Sequence, residues 1–159
     1  MTRRIAFAVV IAAQALFLLA MIGFNERALA TGDKVTLRTV PVDPVDFFRG
    51  NYVVLRYEIS NVNVPEGTQP GEVVYVPLHA EDGRWTGGFG YPTPPSDGEF
   101  IRGTVRSTYG ASADVEYGIE TYYADQEEAY DLQSAGRLDV TVALDGDGRA
   151  RISRVEPVR

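Results

Sequence analysis

The sequence predicts an all-β domain, a small antiparallel barrel or sandwich with one short helix, preceded by an N-terminal transmembrane helix. Three observations carry this expectation. Residues 5–24 form an apolar run with Gln14 as its one strongly polar residue. Beyond them, short runs rich in Val, Ile, Tyr and Phe alternate with Gly, Pro and Asn clusters, a spacing that suits about seven or eight strands. A single stretch, Asp125 to Ala135, carries helix-boundary signals at both ends. Residues 1–30 therefore read as anchor and exit segment. Residues 31–159 read as one extracytoplasmic β domain, long enough for one core and too short for two further domains.

The apolar run, IAFAVVIAAQALFLLAMIGF, has Gln14 as its one strongly polar side chain. Twenty helical residues at about 1.5 Å each reach roughly 30 Å, the thickness of a bilayer's hydrocarbon core. Arg3 and Arg4 precede the run, and no acid offsets them. By the positive-inside rule the N-terminus stays cytoplasmic and everything after Phe24 lies on the far side. The lipid bilayer is thus an expected partner, met through Ile5 to Phe24. The alternative is a secretory signal peptide cleaved near Ala30, since Ala28-Leu29-Ala30 fits the small-residue cleavage pattern. Against it, the run exceeds the usual apolar core of roughly 7–15 residues, and Glu26 and Arg27 crowd the cut. Both readings export the domain.

Val35 to Val40 (VTLRTV) is β-branched and alternating, a first strand. Pro41 and Pro44 break it, leaving Pro41 to Phe48 as an irregular turn. From Tyr52 to Ile59, the odd positions Val53, Leu55, Tyr57 and Ile59 share one apolar face, while Arg56 and Glu58 point away. Asn61 to Gly71 reads as a loop and Glu72 to Leu78 as a strand, whose Pro77 suits an edge or a bulge. Asp82-Gly83 is a turn before a strand at Arg84 to Phe89, and Gly90 to Gly98, with its prolines, is a surface loop. Strands follow at Phe100 to Ser107 and Ala113 to Tyr123. Asp125 caps the one helix, Glu128 takes the capping-box position, and Gly136 stops it. Arg137 to Leu144 and Arg149 to Val155 form a hairpin about Asp145-Gly146-Asp147-Gly148.

Composition excludes several functions. The chain has 15 Lys+Arg against 22 Asp+Glu, a formal charge of -7. Such a balance repels phosphate backbones, and no basic cluster reverses it, so nucleic acid is not an expected partner. Solubility accounts for the charge. The absence of cysteine removes disulfides, thiolate metal sites and thiol catalysis, without assigning a compartment.

Phe48 to Tyr57 reads FRGNYVVLRY. Gly50, Tyr52, Leu55 and Tyr57 fit the pattern G-D-Y-x-x-L-x-Y, with Asn51 where the pattern has Asp. The apolar N-terminus, Ala30-Thr31-Gly32, the LRT-x-P-V-D-P run from Leu37 to Pro44, Tyr117-Gly118-Ile119-Glu120-x-Tyr122 and the closing Asp-x-Asp-Gly turn extend the likeness along nearly the whole chain. In these features the chain resembles the GDYXXLXY family of bacterial membrane-anchored proteins. The resemblance implies a single-pass protein of the bacterial inner membrane with its C-terminal domain periplasmic, often associated with polytopic membrane proteins. It implies no established activity.

The motif residues also have a physical reading. Gly50-Asn51 is a turn pair, since Gly tolerates positive φ and Asn accepts backbone hydrogen bonds. Asn in place of Asp keeps that role and loses a carboxylate's charge, which favours a structural role over a catalytic or metal-binding one. Tyr57 falls on the apolar face as a core residue, and Tyr52 falls on the opposite face. A weaker echo is present: Arg49-Gly50 followed by Tyr57-Glu58-Ile59 is matched by Arg102-Gly103 followed by Tyr117-Gly118-Ile119. The spacings differ, so common β-sheet demands explain it better than duplication.

Asp43 and Asp46 flank Pro44 near Arg49, a set able to hold a cation or act as an acid/base pair, though turn formation with a local ion pair is the plainer account. Asp145-Gly146-Asp147-Gly148 is similar to part of a calcium loop but lacks the later Glu, so it reads as a turn. Glu127, Glu128 and Asp131 read as a solvated helix face. His79 is the one histidine, with no serine in a G-x-S-x-G context, and Lys34, the one lysine, sits just past the apolar run. Trp85, Phe89 and Tyr91, among glycines and prolines, form either a ligand or partner platform or a plug for one end of a barrel. No catalytic residue, metal ligand or cofactor is assigned, and the domain is not expected to be an enzyme. The expected function is an extracytoplasmic accessory domain partnering an integral membrane protein. An envelope ligand-binding module using the aromatic loop is the alternative, and an unrecognised hydrolase the least favoured.

Overall fold

The computed structural model describes residues 2–41 and 52–158, except the side chains of residues 2, 4, 6, 22, 24–31, 126 and 133. The chain begins with a 30-residue helix, α1 (Thr2–Thr31). Eleven strands then follow among the described residues: β1 (Asp33–Arg38), β2 (Tyr52–Val54), β3 (Asn61–Asn63), β4 (Val73–Pro77), β5 (His79–Glu81), β6 (Arg84–Thr86), β7 (Phe100–Tyr109), β8 (Ser112–Glu116), β9 (Thr121–Tyr123), β10 (Leu138–Leu144) and β11 (Ala150–Pro157). A second helix, α2 (Gln126–Ala135), separates β9 from β10, and a 3-10 turn covers Glu58–Ser60. The fold is mostly β with few helices, as the sequence predicts.

Among the described residues no helix is long and apolar enough to cross a membrane. The expected span, Ile5 to Phe24, lies within α1, and part of it falls outside the residues whose side chains are described. The large apolar side chains that are described in α1, among them Ile5, Phe7, Val10, Ile11, Phe17 and Leu19, are at least half exposed and face every side of the helix.

Nine of these eleven strands form two groups, and β5 and β6 pair with each other as a separate hairpin. In the first, β1 pairs with β10 and β10 with β11, both antiparallel. The end of β1 continues this group, because Thr39 bridges Tyr57 antiparallel and Val40 N–H donates to Arg56 O at 2.9 Å. The Tyr57 segment leads back into β2, which pairs antiparallel with β9. The spatial order is thus β11-β10-β1-β2-β9. In the second group the order is β3-β8-β7-β4, again antiparallel. Residues 88–91 bridge its two edges: Gly90 N–H donates to Asn63 O at 2.8 Å, and Tyr75 and Tyr91 exchange hydrogen bonds of 2.8 and 2.9 Å. The hydrogen-bond circuit of this second group therefore closes on itself.

One core serves both groups. Val35, Leu37, Val53, Leu55, Ile101, Val105, Val115, Val140 and Val142 are all at most 2% exposed. Each such side chain contributes roughly 1.5–3 kcal/mol by leaving water. Gly103 is needed where β7 crosses this core, since a β-carbon there would overlap Val115 Cγ1 and stand 2.9 Å from the Tyr117 ring. The β1–β10 register also places Arg38 opposite Asp139, whose carboxylate accepts two hydrogen bonds from the guanidinium at 2.9 and 3.0 Å.

Several boundaries differ from expectation. The predicted strand Tyr52 to Ile59 keeps its alternating burial, with Val53, Leu55, Tyr57 and Ile59 inside, but β2 ends at Val54 and the rest forms a bridge and a 3-10 turn. The expected loop Asn61 to Gly71 opens with β3, because Val62 and Val64 are drawn into the core. The expected strand Ala113 to Tyr123 is split into β8 and β9 at Gly118, whose φ of +80° turns the chain from one group to the other. The strand expected at Arg84 to Phe89 shortens to β6 and pairs with β5, which lay outside the reading. Asp82 and Gly83 join the two with φ of 48° and 77°, as a two-residue hairpin turn requires. The helix is as expected: Asp125 Oδ1 accepts the Glu128 N–H at 2.9 Å, and α2 stops before Gly136. Pro77 does lie on an edge strand of its paired sheet.

Candidate functional site

The junction between the two strand groups gathers the family-like motif. Tyr57 and Tyr117 are both buried, and each answers the other. Tyr57 Oη donates to Ile119 O at 2.7 Å, and Tyr117 Oη donates to Ile59 O at 2.6 Å. Each tyrosine's own N–H is bound three residues downstream, Tyr57 to Ser60 Oγ at 3.0 Å and Tyr117 to Glu120 Oε1 at 2.6 Å. The two segments, Tyr57 to Ser60 and Tyr117 to Glu120, thus form a reciprocal lock. Burial pushes both phenols well above their ordinary range, with the Glu120 carboxylate adding to the effect. Neutral hydroxyls are what the lock requires, because a phenolate cannot donate.

Beside the lock lies a groove of about 520 Å³ lined by Tyr52, Leu55, Arg56, Arg106, Asp114 and Glu116, among others. Four of its charged side chains form two ion pairs: Arg56 Nη2 lies 2.8 Å from Asp114 Oδ1, and Arg106 Nη1 lies 3.0 Å from Glu116 Oε1. Ser60 Oγ and Glu120 Oε1, on the same groove, accept backbone N–H groups within the lock. Among the described residues no group of three His, Asp or Glu side chains is placed to hold a metal ion. Arg56, Arg106, Asp114 and Glu116 are thus engaged in ion pairs across the groove, while Ser60 and Glu120 hold backbone groups of the lock.

The predicted site residues fall in three places. Asp43, Asp46, Arg49, Gly50 and Asn51 lie outside the described residues. Tyr52 is half-buried on the groove wall and packs edge-on against Tyr123, ring centroids 6.1 Å apart, while Leu55 and Tyr57 are core. The aromatic set divides: Phe89 and Tyr91 are exposed with ring centroids 4.7 Å apart, whereas Trp85 is half-buried and packs against the core. Sequence reasoning assigned no role to Arg106, Asp114 or Glu120. The echo of Tyr57-Glu58-Ile59 in Tyr117-Gly118-Ile119 was the available signal for the lock, and its meaning is a contact between the two copies.

The chain matches the GDYXXLXY protein family over residues 14–155, a span that includes both halves of the lock and runs from within α1 to β11. No curated protein and no solved structure shows significant similarity to it. Taken over that length, the match shows that the chain belongs to the GDYXXLXY protein family.

Proposed function

We propose that this protein is an extracytoplasmic accessory domain, anchored in the bacterial inner membrane by α1, that acts by contacting an integral membrane protein. The observation that carries the reading is the character of α1. Its described large apolar side chains are exposed on all sides. A helix apolar all round requires an apolar surrounding, either a core or a bilayer. Arg3 and Arg4 before it favour a cytoplasmic N-terminus. Only Gly32 separates α1 from β1, so the β domain would stand directly on the membrane surface, where a polytopic partner presents its loops. The ion-paired arginines of the groove are in keeping with an accessory role.

Affinity capture of the tagged full-length chain from native membranes in mild detergent tests the partner. Recovery of one polytopic membrane protein in near-stoichiometric amount is the expected result, and recovery of none would overturn it. One observation favours the second reading, an envelope-ligand module: Phe89 and Tyr91 are 37% and 46% exposed and in contact, an aromatic surface able to stack on a ligand.

A further inference from the structure

Among the described residues, the group β11-β10-β1-β2-β9 is open at both ends. Its neighbours are all antiparallel, so β1, β9 and β11 run one way and β2 and β10 the other. A groove of about 410 Å³ separates the two end strands, lined by Thr121, Tyr122 and Tyr123 on one side and Ala150, Arg151 and Ile152 on the other. The antiparallel alternation fixes which backbone groups face it. Leu55 N–H donates to Glu120 O at 2.8 Å, so the next bonded pair is Val53 with Tyr122. Thr121 and Tyr123 therefore turn their N–H and C=O away from β2, toward the groove. On the far side, Asp145 N–H donates to Arg149 O at 3.0 Å, making Ala143 and Arg151 the next bonded pair. Ala150 and Ile152 turn outward. Among the described residues, none of these four has a backbone partner on its groove side.

We propose that this groove accepts an extended, acidic polypeptide segment of a partner protein, which adds as a strand between β9 and β11 and closes the group into a barrel. Two unpaired edges with the same direction accept one strand running opposite to both, so every contact it makes is antiparallel. Charge sets the chemistry of the segment. Past Gly118 the groove continues into a second hollow lined by Arg102 and Arg149. With Arg151, three guanidiniums line the path on a chain whose net charge is -7. Arg151 reaches Asp145 only at 3.9 Å, and Glu116, which shares the hollow, is held by Arg106 at 3.0 Å. Carboxylates on alternate residues of an added strand would meet these arginines. The proposal deepens the accessory-domain reading and rests on it only for the source of the segment; membrane attachment and peptide binding are separate readouts, so either can fail alone.

The test uses the full-length chain in detergent micelles and a fluorescein-labelled peptide alternating valine with glutamate, about eight residues long to span the edge. Anisotropy should show saturable binding, weakened at least about tenfold by N-methylation of alternate backbone amides or by lysine in place of glutamate. Arg149→Glu with Arg151→Glu should weaken it about as much while leaving the thermal midpoint unchanged. Amide hydrogen exchange should be fast at Thr121, Tyr123, Ala150 and Ile152 in the free chain and slow when the peptide is bound. Absence of saturable binding, or equal binding of the N-methylated peptide, would overturn the proposal. So would slow exchange of the four amides in the free chain, or a dimer of the chain that protects them.

Discussion

Two phenol hydroxyls hold the junction of the strand groups, and their contribution can be read by removing one oxygen. In Tyr57→Phe the ring still fills its buried site, but Ile119 O loses its donor. The cost of a buried hydrogen bond, with the carbonyl left unpaired, is about 1–3 kcal/mol, read as a lower urea midpoint at unchanged slope. The same hydroxyls give a pH signature. Burial raises both phenols in the folded state, while the unfolded chain releases these protons near the ordinary value of about 10. Their stabilisation is therefore complete below about pH 10 and is lost as pH rises through the folded values. Urea denaturation from pH 8 to 11 should show stability falling above about pH 10, and Tyr57→Phe combined with Tyr117→Phe should flatten that fall. An equally steep alkaline loss in the double variant would assign the effect elsewhere. At this scale the sequence identified Tyr57 as core, because its period-two neighbours are apolar. It could not identify Ile119 O as the acceptor, since 62 residues separate the partners and carbonyls carry no residue-specific signal.

Elements whose signals are local were the most legible. Asp125 caps α2, Gly136 ends it, and the hairpin turn at Asp145 is held by that carboxylate, which accepts the N–H groups of Asp147 and Arg149 at 3.0 and 2.9 Å. The cap predicts that Asp125→Ala destabilises by about 1 kcal/mol, a loss that Asp125→Ser or Asp125→Asn largely restores; equal midpoints for all three would show that the cap contributes nothing. Glu128 shows the limit of local rules. It stands at the capping-box position, yet its carboxylate accepts the Tyr122 hydroxyl at 3.0 Å, tying α2 to the end of β9. The stretch Tyr52 to Ile59 failed differently. Its inward side chains are dictated by the core and were visible as alternation, but its backbone partners are the distant Thr39 and Glu120, and they change along the segment. Side-chain period survives such a change of partner, whereas a regular ladder does not. β3 and β5, three residues each, are too short for periodicity to mark.

At the scale of the whole molecule, a β domain follows a 30-residue helix with one residue between them. The domain's fold class was readable from strand spacing, and the family from residues spread along the chain. The candidate site was readable only in part, because the groove draws Arg56 from the segment after β2, Arg106 from β7 and Asp114 and Glu116 from β8, and the open edges of β9 and β11 arise from pairing order rather than residue type. The proposed function rests on α1 being a membrane anchor. The direct measurement is alkaline carbonate extraction of membranes carrying the full-length chain, with intact-mass analysis of the recovered protein. An anchored chain stays in the membrane pellet at its full mass, N-terminal helix included. Recovery in the supernatant, or a mass corresponding to cleavage near Ala30, would contradict the anchor.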